Sequence, residues 1–264
     1  MILFTDLRRK RLKLRPFPPA WLSVVRRRVP LYNRLSQEDR EELLEHVRVF
    51  LAEKRFEGRG SFTVTDEVRV TVASQACILL LHRKTDYYPA LSSIVVYPAE
   101  YLAPYFGVDE WGVVTEGTDQ RSGESCPEGA LVLSWEDVIA EGIDVHEGYN
   151  VVLHEFAHQL DAGEGITAGI PLEPESAGDC SGEDVLTRAY RQLREDDALG
   201  RPTVLDPYGA ESPEEFFAVA TEAFFQIPHP FRKRHPELYD ELSRYYRQDP
   251  AGWPTGTRDV TSSD

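Results

Sequence analysis

The sequence predicts an α+β fold, mostly helical, with a small β-sheet ahead of one central helix. Three observations carry that reading. Capped stripes of apolar residues at helical spacing fill both flanks of the chain. Short β-rich runs are confined to its middle. After them comes an unbroken apolar run, Val151 to Leu160, in which Glu155 is the one charged residue. With 264 residues, 41% hydrophobic and 28% charged, the chain has the composition of a globular protein with a substantial core.

The elements follow in order. Residues 1–19 read as a loosely ordered arm ending in Pro16-Phe17-Pro18-Pro19, with a short helix over 20–28. Ser36-Gln37-Glu38-Asp39 opens a stronger helix with an acidic first turn, and Leu43, Leu44, Val47, Phe50 and Leu51 continue it to about Lys54. Thr65-Asp66-Glu67-Val68 opens the next, ending near His82. Ser93 to Tyr97 is a β-rich run stopped by Pro98; Trp111 to Glu116 and Ala130 to Leu133 are further strands, separated by a polar loop. Ser134-Trp135-Glu136-Asp137 starts a short helix. Gly148-Tyr149-Asn150 then leads into the central helix, which ends soon after Asp161. Residues 162–182, rich in Gly, Pro, Ser and acids, are expected to form a long loop, either a cleft rim or mobile cover beside the site or a plain surface insertion. Helices follow over 183–198, from Ser212 to about Gln226, and from Pro236 to Gln248, with a frayed end from Asp249.

Net charge is −16, which disfavours non-specific binding to nucleic acid. The charge is uneven. Residues 1–28 hold nine Lys or Arg and one acid, Asp6, which leaves 20 basic and 44 acidic residues, a net of −24, for the rest. The basic arm is expected to be a solvated tail, with docking on the body, a partner or a membrane surface as alternatives. No stretch is long and apolar enough to span a membrane, and the N-terminus lacks the apolar core of a signal peptide. Cys77, Cys126 and Cys180 are far apart and odd in number, which fits a reduced cytoplasm.

His154-Glu155-Phe156-Ala157-His158 is the informative motif. Residues four apart on a helix share a face, so the two imidazoles can hold one Zn²⁺. Glu155 between them is placed to act as general base on a water at the metal. The motif is short enough to arise by chance, but a Glu in so apolar a helix is costly to bury without a partner, and a cation supplies one.

A catalytic zinc site needs a third protein ligand. No His follows at a third-ligand spacing, so a carboxylate from another helix is the natural candidate. Pro213 to Gln226 offers Glu214, Glu215 and Glu222 in an otherwise apolar helix. Glu215 and Glu222 share a face, so one can bind metal while the other orients a ligand His from behind. Ser212 followed by Glu215 also reads as a capping box, which explains Glu215 without a metal. The residues alone leave the two glutamates level. Asp161, one turn past His158, is open between orienting a ligand and stopping the helix.

The chain resembles the Mlc titration factor A family of bacterial zinc peptidases over nearly its whole length. The marks are the basic arm, Thr65-Asp66-Glu67 with Gln75-Ala76-Cys77, Val132-Leu133-Ser134-Trp135, the run from His154 to Asp161, and the run from Ser212 to Val219. The two catalytic helices are also similar to those of the anthrax lethal factor peptidase domain, where an H-E-F-G-H helix is followed by Tyr-Gly and then Glu-Phe-Phe-Ala. The resemblance implies a zincin-like fold, one Zn²⁺ per chain, Glu215 as third ligand, Glu222 behind the ligands, and Tyr208 of Tyr208-Gly209 as a catalytic tyrosine. Without it, Asp206-Pro207-Tyr208-Gly209 is a plain turn. The architecture rests more on this resemblance than on periodicity. It divides the chain into the arm and first helices (1–59), a catalytic domain (60–248) and a flexible tail (249–264).

Three functions compete at this stage. The first is a cytoplasmic zinc peptidase, of aminopeptidase type by resemblance, with endopeptidase action open. The second is a binding protein that sequesters a transcriptional repressor of the Mlc type. The third is another hydrolase using the same metal.

Overall fold

A computed structural model describes residues 2–99, 101–108, 114–121, 123–126, 129–143, 148–168 and 184–254. The expected strand start at Trp111, His146, Cys180 and most of the 162–182 loop lie outside these residues.

The chain opens with α1 (Ile2–Lys13), α2 (Pro19–Arg28), α3 (Pro30–Arg34) and α4 (Gln37–Glu53). Ser36 caps α4, its hydroxyl accepting from the Asp39 amide. Strand β1 (Arg55–Gly58) and α5 (Asp66–Ile78) follow, the latter capped by Thr65. Next come β2 (Ser93–Tyr97), β3 (Tyr101–Val108), β4 (Val114–Arg121), β5 (Gly123–Cys126), β6 (Ala130–Ser134) and α6 (Trp135–Ile143). The motif helix is α7 (Val151–Glu164). Helices α8 (Val185–Ala198), α9 (Pro213–Gln226), α10 (Pro228–Arg234) and α11 (Pro236–Tyr246) complete the set.

The fold is therefore α+β and mostly helical. Its main sheet runs β1-β2-β6-β5, with β1, β2 and β6 parallel and β5 antiparallel at the edge. β3 and β4 form a separate antiparallel pair. Parallel strands buried on both faces need apolar side chains throughout, and Ile94, Val95, Val96, Leu131 and Leu133 supply them. β5 and β6 lie against α7, and α7 packs on α5, α6 and α9.

The core sits between these helices. Phe156 of the motif turns away from the two histidines into an aromatic cluster, its ring centroid 4.8 Å from Tyr88 and 5.7 Å from Phe50. Phe216, Phe217, Phe224 and Phe225 bury four aromatic rings on α9; Tyr246 of α11 packs on the last three and Tyr190 of α8 on Phe216. Each such ring removes on the order of 200 Å² from water, so α7 and α9 are fixed by burial rather than by propensity.

Four departures from the sequence reading stand out. Residues 2–13 are helical and docked, not a loose solvated arm: Arg9 forms a two-point bond with Glu53 (2.8 and 2.9 Å), reaches Asp86 at 2.6 Å, and lies over the Tyr87 ring. β1 occupies a segment with no strand signal and pairs with β2. The expected strand ending at Glu116 runs on as β4 to Arg121, and the polar loop after it contains β5. Within the expected frayed end, residues 249–254 are placed, and the Trp253 ring meets Phe225 and the Arg34 guanidinium.

Candidate metal centre

Three backbone devices place α7. Asn150 caps it, its side-chain oxygen accepting from Leu153 N–H at 3.0 Å. Glu141 of α6 accepts from Val151 N–H at 2.6 Å. Glu222 of α9 accepts from Asn150 N–H at 3.2 Å. These acceptors take up first-turn amides that a helix leaves without internal partners. At the other end Gly165 adopts the left-handed conformation (φ 67°) and closes the helix with a bond to Asp161 O.

α9 begins at Ser212, whose hydroxyl accepts from Glu215 N–H at 3.2 Å. That is half of the capping box the sequence allows. In the other half Glu215 would fold back on Ser212; instead its carboxylate crosses to α7. Glu215 Oε2 lies 3.0 Å from His154 Nε2 and 3.4 Å from His158 Nε2, and the two Nε2 atoms are 3.1 Å apart. Glu222, two turns further along α9, faces the opposite nitrogen of the same ring, with His154 Nδ1 3.4 Å from Glu222 Oε1. The two glutamates thus hold one imidazole from both sides.

Protonation decides what this arrangement wants. A proton on His154 Nδ1, facing Glu222, leaves Nε2 as a lone pair aimed at a carboxylate oxygen and a second imidazole nitrogen. With His158 Nε2 also unprotonated, three acceptors converge, an arrangement that a shared cation satisfies. Without one, burial opposes charge on His154, but its bonds to Glu215 and Glu222 prevail and push its pKa well up. Burial also works to raise Glu215, and hydrogen bonds to His154 and His158 overcome it, holding the acid at about 2. Burial raises Glu222, partly offset by His154 and the Asn150 amide. A His₂Glu set with a carboxylate behind one ligand is the donor chemistry of a catalytic zinc site.

The remaining expected residues are placed as follows. Glu155 is buried on α7, 6% exposed. Tyr208 sits in a 3-10 turn, Pro207–Ala210, capped by Asp206, whose carboxylate accepts from Tyr208 N–H at 2.7 Å. Its ring is 47% exposed and its centroid is 6.1 Å from that of His154. Gly209 lets the turn lie directly on α9, since a Cβ there would stand 3.3 Å from Phe216 Cα and 3.1 Å from Leu193 Cδ2. Asp161 accepts from Thr167 N–H at 2.8 Å and from its hydroxyl at 2.6 Å, so its carboxylate is committed to the turn that closes α7.

Sequence reasoning missed Glu141 and Asn150. Asn150 directly before an apolar helical run is a legible cap signal. Glu141 has none, because its partner is ten residues away in the chain. Among the described residues one other His and carboxylate cluster gathers, Asp39, Glu42 and His82. There both ring nitrogens of His82 face carboxylates, at 3.0 and 3.3 Å, so the imidazole itself joins α4 to the turn after α5.

A protein of Synechocystis sp. is 38% identical over 246 residues, covering 93% of this chain and 90% of that protein. Proteins named Mlc titration factor A from Klebsiella pneumoniae and Pectobacterium atrosepticum are each 32% identical, with 84% of both chains covered. Residues 4–247 match the family described as glucose-regulated metallo-peptidase M90, and the chain belongs to that family.

Proposed function

We propose that this protein is a zinc-dependent peptidase in which His154, His158 and Glu215 hold one Zn²⁺. The observation that carries the reading is the convergence of Glu215 Oε2 and the Nε2 atoms of His154 and His158 within 3.0 to 3.4 Å of one another, with Glu222 Oε1 3.4 Å from the other ring nitrogen of His154. Zinc bound there would supply a Lewis acid for the scissile carbonyl and lower the pKa of a coordinated water to roughly 7.

The chain's own residues supply the rest. Glu155 takes the proton of the attacking water and returns it to the leaving amine. Tyr208, at the open side of the His154 ring, donates a hydrogen bond to the oxygen that becomes negative. β5 lies against α7 at the edge of the sheet and, among the described residues, pairs with β6 alone. Its open main-chain edge suits an extended peptide laid along the cleft as an added strand. Aminopeptidase-type action is the favoured form, by likeness to the titration-factor family. A cytoplasmic setting belongs to the same reading. Among the described residues no helix is long and apolar enough to cross a membrane.

The test is zinc content and turnover of small peptide substrates in the parent, Glu155→Gln and Glu215→Ala. We expect near-stoichiometric zinc in the parent and in Glu155→Gln, zinc lost in Glu215→Ala, and turnover in the parent alone. Turnover retained in Glu155→Gln would remove Glu155 as the base.

A second reading is favoured by the names of the relatives. Proteins called Mlc titration factor A suggest that this chain binds a transcriptional repressor of the Mlc type, with hydrolysis secondary. Repressor binding that survives both chelation and the Glu155 change would place that role apart from the metal centre.

A further inference from the structure

We propose that the outward face of α1 docks on an anionic lipid surface. The inference is independent of the peptidase reading. It starts from how α1 is held. Arg9 is spent on Glu53 and Asp86, Leu12 packs against the core, and the Lys13 carbonyl accepts from Arg48. These contacts fix which side of the helix faces the body. Bonds from Leu14 N–H to Lys10 O and from Arg15 N–H to Leu12 O continue the turn past the helix end.

The opposite side is therefore a defined stripe. Leu7, Lys10, Arg11 and Leu14 fall at positions i, i+3, i+4 and i+7, and Arg15 extends the row. Leu7 is 52% and Leu14 85% exposed, the latter the most exposed large apolar side chain among the described residues. Beside the stripe runs an open groove of about 620 Å³ lined by Leu7, Arg8, Arg11, Leu12, Arg15 and Ala52, with no carboxylate among the described residues of its wall. The cations stand out in a chain whose residues after 28 carry a net charge of −24.

Cations and exposed leucines on one short helical face ask for a partner that offers negative charge and an apolar sink together. Nucleic acid offers the first and no sink for Leu14. An anionic bilayer offers both, with head-group phosphates for the arginines and the acyl boundary for the leucines. The acidic body is repelled by the same surface, so the molecule would land with α1 downward. Two leucines and a few cations give weak, reversible and salt-sensitive attachment rather than anchoring.

The experiment is sedimentation of the full chain with vesicles of phosphatidylcholine alone and of phosphatidylcholine mixed with phosphatidylglycerol. The parent is compared with Leu7→Ser/Leu14→Ser and with Arg11→Gln/Arg15→Gln. All four positions lie off the docked side, and unchanged helicity and zinc content would verify that folding is intact. We expect binding to the anionic vesicles only, weakened about tenfold or more by either double change and by raised salt. No binding to anionic vesicles overturns the proposal. So does binding indifferent to the leucine change, which would mean charge attraction without insertion. A face that instead binds RNA, or a second copy of the chain in gel filtration, with the vesicles untouched, also overturns it.

Discussion

Glu222 and Glu215 lie on one helix and face one imidazole, yet their removal should differ in kind. Glu215→Ala deletes a donor from the converging set and should abolish stoichiometric metal. Glu222→Ala leaves the set intact and frees the His154 ring to turn, a loss of the type that costs about 10 to 100-fold in metal affinity. Metal titration of the two variants separates these outcomes, and equal losses would show that Glu222 is itself a ligand. Tyr208→Phe should keep zinc and substrate affinity while lowering kcat on the order of 100-fold, the cost of one oxyanion donor. A kcat within a factor of two of the parent would return Tyr208 to the status of a turn residue.

Glu141 extends the residue-scale argument to stability. Burial, with Glu222 and Asp137 nearby, raises its pKa to about 7, although the Val151 amide bond pulls the other way. A folded-state pKa above the unfolded value means the folded protein holds this proton more tightly. Stability from this group is then full below about pH 4.5 and is lost as pH rises toward 7. Glu141→Gln removes the titration while keeping an acceptor for Val151. In chelated protein the variant should match the parent near pH 4 and exceed it above pH 7, by on the order of 2 kcal/mol once partial exposure is discounted. Urea unfolding at the two pH values decides it, and a variant less stable at both would show that the charge is needed.

At the scale of elements, legibility follows locality. Ser36, Thr65 and Ser212 announced α4, α5 and α9 because each cap acts within three residues. β1 was illegible because Arg55-Phe56-Glu57-Gly58 forms a strand only through pairing with β2 almost forty residues on. α1 has no cap signal and is held by Arg9 reaching Glu53 and Asp86, contacts no local pattern contains. The site divides the same way. Two His and a Glu on one helix are a local statement. Whether Glu215 folds back on Ser212 or crosses to His154 depends on how α9 packs on α7, so the residues left it level with Glu222. Gly209 shows how tightly that packing is set. Gly209→Ala should push the Tyr208 turn off α9, costing about 1 to 3 kcal/mol. It should lower turnover with zinc content unchanged, and full turnover would mean the turn can shift without moving Tyr208.

Across the whole molecule the proposed metal centre would act as a clasp. α7 carries two of its donors, α9 the third, and α5, α6, α8 and α11 pack around that pair. A cation bound by the folded state and not by the unfolded chain stabilises folding by RT ln(1 + [L]/Kd), about 4 kcal/mol at a thousandfold excess over Kd. Chelation should therefore lower Tm in the parent by several degrees and restoring zinc should raise it again. The same treatment should do nothing to Glu215→Ala, because the clasp is already open. Glu155→Gln should behave as the parent, since it keeps all three donors and loses only the base. This pattern distinguishes a clasp from a general effect of chelator on the protein. A fall in Tm shared equally by Glu215→Ala would mean that the stabilising ion sits elsewhere, with the Asp39, Glu42 and His82 cluster the first place to look.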